Sequence, residues 1–254
     1  MKLNNNQVQV ILTGTFGDGS VRLLKTTASY TTNCKMKDYL EFKKELLGNI
    51  DTKDINRTDI NGFSQTYIWN LRTNSHPEIK EIHEKSLIEK LSMLDELGIA
   101  MWMYDDGSLH NRLRFYNLNT HAFSEQDNRV ISDFLNKRLG IYSRVMIERK
   151  KDGRVFYYIY IPPCGGAYKL SDIMSQFPIE SYKYKIIPEE EIIELRVLHN
   201  HVDKFHKAGT EEHYNMTTSL RRRLSGYRKK NKELSVEDFL NNYSNRPKFE
   251  KKRV

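Results

Sequence analysis

One phrase occurs twice in this 254-residue chain, and it limits the possible folds more than any other feature. Ile11-Leu12-Thr13-Gly14-Thr15-Phe16-Gly17-Asp18-Gly19-Ser20 is answered by Ile99-Ala100-Met101-Trp102-Met103-Tyr104-Asp105-Asp106-Gly107-Ser108, with Asp18 and Asp106 standing 88 positions apart. Each phrase is a mostly apolar run about two helical turns long, closed by an acid, a glycine and a serine. A carboxylate at the end of a buried helix is costly unless something uses its charge. A lone Asp-Gly is an ordinary turn. Two of them, each closing a similar apolar run, indicate one site assembled from two halves of a chain.

The segments after the two phrases also match each other. Residues 21–33 and 109–120 alternate polar and apolar side chains, as half-buried strands do. Helices are expected next, at 37–47 and 124–139, with Ser124 as N-cap and Gly48 and Gly140 as stops. A second pair of strands comes after the helix in each half. The first pair covers 51–60 and 63–72 and turns at Asn61-Gly62; the second covers 143–150 and 154–161 and turns at Lys151-Asp152-Gly153. A closing helix is expected at 76–94 and again at 168–177. A period of about 90 residues is too long for a solenoid. The reading is α+β: two pseudo-symmetric αββαββα halves, 1–94 and 95–188, then a basic helical C-terminal extension, 189–254. Helices in the extension are expected at 189–207, broken at Gly209-Thr210, and at 235–243, with Arg221-Arg222-Arg223 and Arg228-Lys229-Lys230 between them.

Charge is distributed unevenly. The net charge is +8, of which residues 209–254 carry +6, from 12 Lys or Arg against 6 Asp or Glu. A basic tail of this kind suits a polyanionic partner. No apolar run approaches the roughly 20 residues that span a bilayer. The start, Met1-Lys2-Leu3-Asn4-Asn5-Asn6, has no signal-peptide core. The expected location is the cytoplasm, or whichever compartment holds the target genome. Cys34 and Cys164 form no CxxC pair and read as free thiols. In the stretch 199–206, His199 and His206 would share a helix face, but a polar helix with solvated histidines is the preferred reading there.

The chemistry comes from the acids. Small residues (Thr13, Gly14 and Gly17 in one run, Ala100 in the other) would let two helices approach closely. If they pack side by side, Asp18 and Asp106 meet and repel unless a cation lies between them. Mg²⁺ is the natural choice, being hard, oxygen-liganded and content to share its shell with phosphate oxygens. Such a site suits attack of water on a phosphodiester. The strands add a surface to match. The first half offers Arg22, Lys25, Tyr30, Lys53, Arg57, Tyr67, Trp69 and Arg72; the second offers Arg112, Arg114, Asn117, Asn119, Arg144, Lys150, Arg154 and Tyr158. Arg and Lys hold phosphates and read guanine, and Asn reads adenine, so two such sheets would form a β-saddle for a duplex.

These residues resemble the LAGLIDADG homing endonucleases, chiefly the intron- and intein-type branch. Residues 11–19 and 99–107 resemble the two copies of the naming motif. Leu71-Arg72-Thr73-Asn74-Ser75-His76-Pro77-Glu78 and Tyr184-Lys185-Ile186 resemble that branch as well, and the resemblance covers about residues 5–188. It implies a monomeric, site-specific double-strand DNA endonuclease with two αββαββα halves. Such an enzyme cuts across the minor groove of a long, partly asymmetric site, with Mg²⁺. It implies Asp18 and Asp106 as catalytic metal ligands, with Gly17 and Asp105 beside them. It also implies a basic residue near each scissile phosphate. Lys185 fits in the second half. In the first half the usual Lys-Lys-x-Ile-Pro stretch is missing or shortened, and Lys85 is the nearest counterpart. That departure and the basic tail point to the alternatives: an RNA maturase acting on group I intron RNA, or a non-cleaving DNA-binding regulator on the same fold. Retention of both acids favours the nuclease. The target site is not encoded in any local pattern.

Overall fold

Two helices occupy the middle of the molecule, buried over most of their length. In the computed structural model, which describes residues 2–48, 50, 52, 54–59, 67–163, 166–206, 210–229 and 233–244, α1 (Asn5–Gly14) buries Gln7 and everything from Gln9 onward. The later helix Glu96–Asp106 buries residues 97–104 without a break. A helix that is apolar all round has to be enclosed by protein. The two run parallel and side by side. Asn5 Nδ2 donates to Asp95 Oδ2 at 2.6 Å at one end, and Phe16 stacks on Trp102 with ring centroids 4.7 Å apart near the other. The buried polar groups of α1 are all satisfied. Gln7 Nε2 donates to Leu47 O at 2.7 Å, Gln9 Nε2 to Met93 O at 2.9 Å, and Thr13 Oγ1 to Gln9 O at 2.8 Å. Gly98 is required for this fit, since a Cβ there would lie 2.2 Å from Gln9 Oε1.

Each central helix opens an antiparallel sheet. In the first half, β1 (Gly19–Leu23), β2 (Ala28–Cys34), β3 (Asn56–Asp59) and β4 (Tyr67–Arg72) align in the order β1-β2-β4-β3. In the second, β5 (Gly107–Leu109), β6 (Tyr116–Leu118), β7 (Arg144–Arg149) and β8 (Val155–Ile161) align as β5-β6-β8-β7. The identical order is the expected pseudo-symmetry. α2 (Lys37–Leu47) follows the first pair of strands, and its counterpart α6 (Glu125–Arg138) follows β6. Ser124 caps α6 with a reciprocal capping box, and Gly48 and Gly140 take the positive φ values, 47° and 61°, that end α2 and α6. The turn expected at Asn61-Gly62 lies outside the described residues, as do Lys53 and Cys164.

The closing helix of the first half is not continuous. α3 (Pro77–Glu84) stops at extended Lys85, and Ser86 starts α4 (Leu87–Met93) with its own capping box to Glu89. An N-cap serine followed three residues later by glutamate is a start signal, and here it overrides the helical periodicity across 76–94. The helix at Glu96–Asp106 is therefore α5. In the second half α7 (Ala167–Ser175) closes the unit, and a 3-10 turn at Glu180–Lys185 packs back onto the first half. There Ser181 Oγ donates to Asp38 Oδ1 at 2.7 Å and Ser181 N to Asp38 Oδ2 at 3.0 Å.

Among its described residues the extension holds the helices α8 (Glu189–Asp203), α9 (Glu211–Arg228) and α10 (Val236–Ser244). α9 starts at the expected break because Thr210 caps it, accepting from His213 N. Ile192 and Leu195 join the main core, whereas Leu198, Val202, Leu220, Leu224, Val236, Phe239 and Leu240 form a small second one. No helix among the described residues is long and apolar enough to cross a membrane.

Candidate metal centre and nucleic-acid surface

The C-terminal ends of α1 and α5 meet where the two sheets begin, at β1 and β5. After α1 the chain turns tightly, Gly17 N donating to Thr13 O at 3.2 Å, and delivers Asp18 just before β1. Gly17 lies directly against Asp106: a Cβ there would sit 2.0 Å from Asp106 Oδ2. Gly14 and Gly19 serve a different contact. A Cβ at either would strike the ring of Tyr30, at 2.2 Å and 2.6 Å respectively. The small residues of the first phrase thus divide between helix approach and seating a buried ring.

The consecutive acids at the end of α5 have separate surroundings. Asp105 turns into the first half and takes both its oxygens to Lys43 of α2, at 2.9 and 3.0 Å. Both side chains are almost wholly buried, at 0% and 3% exposure, and Lys43 Nζ also lies 4.4 Å from the Tyr39 ring centroid. Burial alone would pull the lysine down, but the Asp105 carboxylate outweighs it and holds Lys43 above the ordinary lysine range. Asp106 has no such partner, and its Oδ2 is buried without a hydrogen bond. Burial first, then the charges of Asp105 and Asp18, push its carboxyl up to about 7. Asp18 is also raised, by burial and then by the charge of Asp105. Two acids held at a cost, one with an orphaned oxygen, form a donor set that a hard divalent cation would satisfy.

Two cations face these acids. Lys185 is 7% exposed and donates to Tyr104 O at 2.6 Å and Met103 O at 3.3 Å, so it caps the C-terminal end of α5. Burial lowers its pKa, against the opposing pull of Asp105, Asp106 and Asp18. The other cation is Lys43. Lys85, the first-half candidate from sequence, lies in the break between α3 and α4, where its charge acts on Glu89. Lys43 carried no sequence signal, because it looks like an ordinary member of a charged helix.

Strand register sorts the surface residues. On the first sheet, Tyr30 pairs with Val21 and Thr32 with Leu71, so these point inward to the helices. Ser20, Arg22, Thr31, Asn33, Asn70 and Arg72 share the open side. Tyr30 was expected to touch a duplex but is 0% exposed, sealed against Gly14 and Gly19. Tyr67 and Trp69 alternate with Asn70 and lie on the helix-facing side with Leu71; Lys37 of α2 stands over Trp69 at 5.4 Å and Arg57 over Tyr67 at 4.0 Å. Arg22 and Arg72 keep the open face, and Lys25 is exposed in the β1–β2 turn.

On the second sheet, the pairs Ser108–Asn117, Asn117–Tyr160, Arg144–Tyr160 and Met146–Tyr158 line the open side. Asn117 takes the place that Thr31 holds in the first half, and Tyr160 that of Arg72. Arg112 and Asn119 are exposed nearby. Lys150 and Arg154 are exposed at the β7–β8 turn, where they pair with Glu148 and Asp152. Arg114 is different from the rest. It has a left-handed backbone, φ 56°, and a bidentate pair with Glu191 at 2.8 and 3.1 Å, so it anchors α8 and is turned from the saddle. A groove of about 450 Å³ runs beside this sheet, lined by Arg112, Tyr160, Tyr214, Arg221 and Arg222, and it brings basic residues of α9 to the saddle's edge.

The histidines of the extension correct a second expectation. His199 and His213 are both 1% exposed, meeting with ring centroids 4.0 Å apart, while His201 and His206 are only partly buried. His213 lies in the next helix, so spacing within 199–206 could not reveal the pair.

Comparison with known proteins agrees with this geometry. The sequence matches the model of the LAGLIDADG DNA endonuclease family over residues 9–164. It is 30% identical over 125 residues to the "Probable intron-encoded DNA endonuclease 3" of Mycosarcoma maydis, covering 48% of this chain and 85% of that protein. It is 24% identical over 212 residues to Protein RecA of Mycolicibacterium flavescens, covering 74% of this chain and 48% of that one. Its fold is similar to that of the homing endonuclease I-WcaI bound to its DNA recognition sequence, with a TM-score of 0.60 and 19% identity over 74% of this chain and 88% of that chain.

Proposed function

The chain belongs to the LAGLIDADG DNA endonuclease family, and from that premise we propose that it is a monomeric, site-specific double-strand homing endonuclease that cuts across the minor groove. The supporting observation is the orphaned Asp106 Oδ2 pressed against Gly17 at the shared end of α1 and α5. Asp18 and Asp106 would hold Mg²⁺, which when bound supplies charge stabilisation for the attacking and leaving oxygens of a phosphodiester. Asp105 does not join them, because Lys43 already occupies both its oxygens. Its role is to orient: the pair ties the end of α5 to α2 and thereby sets the direction of Asp106. Lys185 fixes the same helix end through its carbonyls and places a positive charge near the scissile phosphate. Lys85 is not proposed for that role.

Residues 1–94 and 95–188 would each read one half of a long, partly asymmetric site. Arg22, Thr31, Asn33, Asn70 and Arg72 would face one half-site, and Asn117, Arg144, Tyr158 and Tyr160 the other. The extension would add phosphate contacts through Arg221 and Arg222.

The test is cleavage of the host's intron-less allele by purified protein, with and without Mg²⁺. Cutting of both strands is expected, lost in Asp18→Asn and Asp106→Asn while DNA binding persists. A folded protein that binds the allele and never cuts it would refute the nuclease. A splicing assay with group I intron RNA would then distinguish a maturase from a DNA-binding regulator.

A further inference from the structure

We propose that His199, Asp203 and His213 form a separate, structural transition-metal site of the zinc type, which fastens α8 to α9 in the C-terminal extension. One ligand atom from each of the three lies within 4.8 Å of the others. His199 and Asp203 stand one helical turn apart on the same face of α8. His213 comes from the first turn of α9, where its N–H donates to the Thr210 cap at 3.3 Å.

The contacts within the cluster are close. Asp203 Oδ1 is 2.8 Å from His213 Nε2, and Asp203 Oδ2 is 3.3 Å from His199 Nδ1. Yet His213 Nε2 and both ring nitrogens of His199 are buried with no hydrogen-bond partner. Buried imidazole nitrogens are rarely left unmatched. Lone pairs converging on one point, rather than an N–H aimed at an oxygen, are what a metal requires. Ligands at about 2.0–2.2 Å in a tetrahedral shell stand roughly 3.4 Å from one another. The 2.8 and 3.3 Å separations run to different carboxylate oxygens and fall short of that spacing, so an ion among the three groups would move the carboxylate back by up to about 0.6 Å. Two nitrogens and one carboxylate suit Zn²⁺ rather than Mg²⁺. Asp203 is 38% exposed, which leaves an entry path and room for water as fourth ligand.

The location gives such an ion a use. α8 and α9 are antiparallel, and at the opposite end of the pair Arg228 grips Glu194 through two bonds of 2.9 and 2.7 Å. The core between the helices is small, and small cores are commonly stapled. On the other side Tyr168 of α7 meets the His199 ring edge-on at 5.0 Å, so the site also adjoins the second half. Lys169 of α7 is the neighbouring cation; its Nζ donates to Gly140 O at 3.2 Å, directed to that carbonyl.

The test uses the full chain carrying Asp18→Asn and Asp106→Asn, so that the other candidate metal site cannot contribute. Titration with Co²⁺, then displacement by Zn²⁺, should show one ion per chain and the intense visible bands of a tetrahedral site. Zn²⁺ should raise the Tm by several degrees. Adding Asp203→Asn, a substitution at a half-exposed position, should weaken Co²⁺ binding by at least about tenfold while far-UV circular dichroism without metal stays unchanged. His213→Ala should do the same. The proposal is overturned if Co²⁺ shows no saturable binding, if its bands are the weak ones of an octahedral ion, or if both variants bind as the parent does. DNA cleavage with Mg²⁺ in the wild-type background is read separately, so the two assignments stand or fall independently.

Discussion

Gly17→Ala probes the candidate metal centre most directly. The added Cβ would lie 2.0 Å from Asp106 Oδ2 and 2.9 Å from its Cγ, whereas ordinary contact begins near 3.4 Å. The backbone here is pinned by the turn onto Thr13, so the carboxylate has to retreat, by about 1.4 Å along that line. A displacement of about 1 Å in a positioned catalytic group costs on the order of 100-fold in rate. Single-turnover cleavage of a labelled duplex with Mg²⁺ should therefore slow by about that factor at saturating enzyme. Binding to the same duplex without divalent metal should stay within about twofold, because the open-face side chains Arg22, Arg72 and Arg144 are left in place. Replacing glycine gains roughly 0.4–1 kcal/mol by restricting the unfolded chain, which offsets part of the packing cost. The Tm should accordingly move little. A cleavage rate within about threefold of wild type would show that Asp106 does not act from the position it holds against Gly17.

Three further outcomes are expected from the same geometry. In metal-free protein, folded Asp106 keeps its proton up to about pH 7 while the unfolded carboxyl releases it near 3.8, so the folded state loses stability as pH rises between the two. Asp106→Asn should then stabilise the metal-free protein at pH 8 by about 2 kcal/mol, roughly half the undiscounted value because the group is partly solvated, and by nothing below pH ~3.5; urea unfolding with a chelator at both pH values would read this, and equal stability at pH 8 would contradict it. Lys43→Met should cost about 3–5 kcal/mol by leaving Asp105 buried and unpaired, and Asp105→Leu on top of it should recover most of that loss in the same assay. Arg72→Ala and Arg144→Ala should weaken DNA binding and reduce its salt dependence by about one ion each where they meet phosphate, whereas Tyr30→Phe should leave binding unchanged in an anisotropy titration over a salt series.

Much of this protein is legible in one dimension. The paired acid-ended runs, the αββαββα order and the helix caps at Ser124, Gly48 and Gly140 depend on neighbours within a turn or two, and local patterns report local physics. What needed tertiary structure was direction. Alternation says that Tyr30 and Thr31 face opposite ways but not which way is inward; Leu71, 41 positions later, decides that by pairing with Thr32. Arg114 looks like any exposed strand arginine until Glu191 of α8 takes it. Asp105 and Asp106 are chemically identical in sequence, and only Lys43 of α2 makes one of them a tie and leaves the other with an open oxygen. His199 finds His213 of the next helix in the same way. Hydrophobic period and capping are set by covalent neighbours, so the sequence alone determined the elements and their repetition. Burial, charge pairing and a shared site depend on groups distant along the chain, so they were decided only when the chain closed on itself.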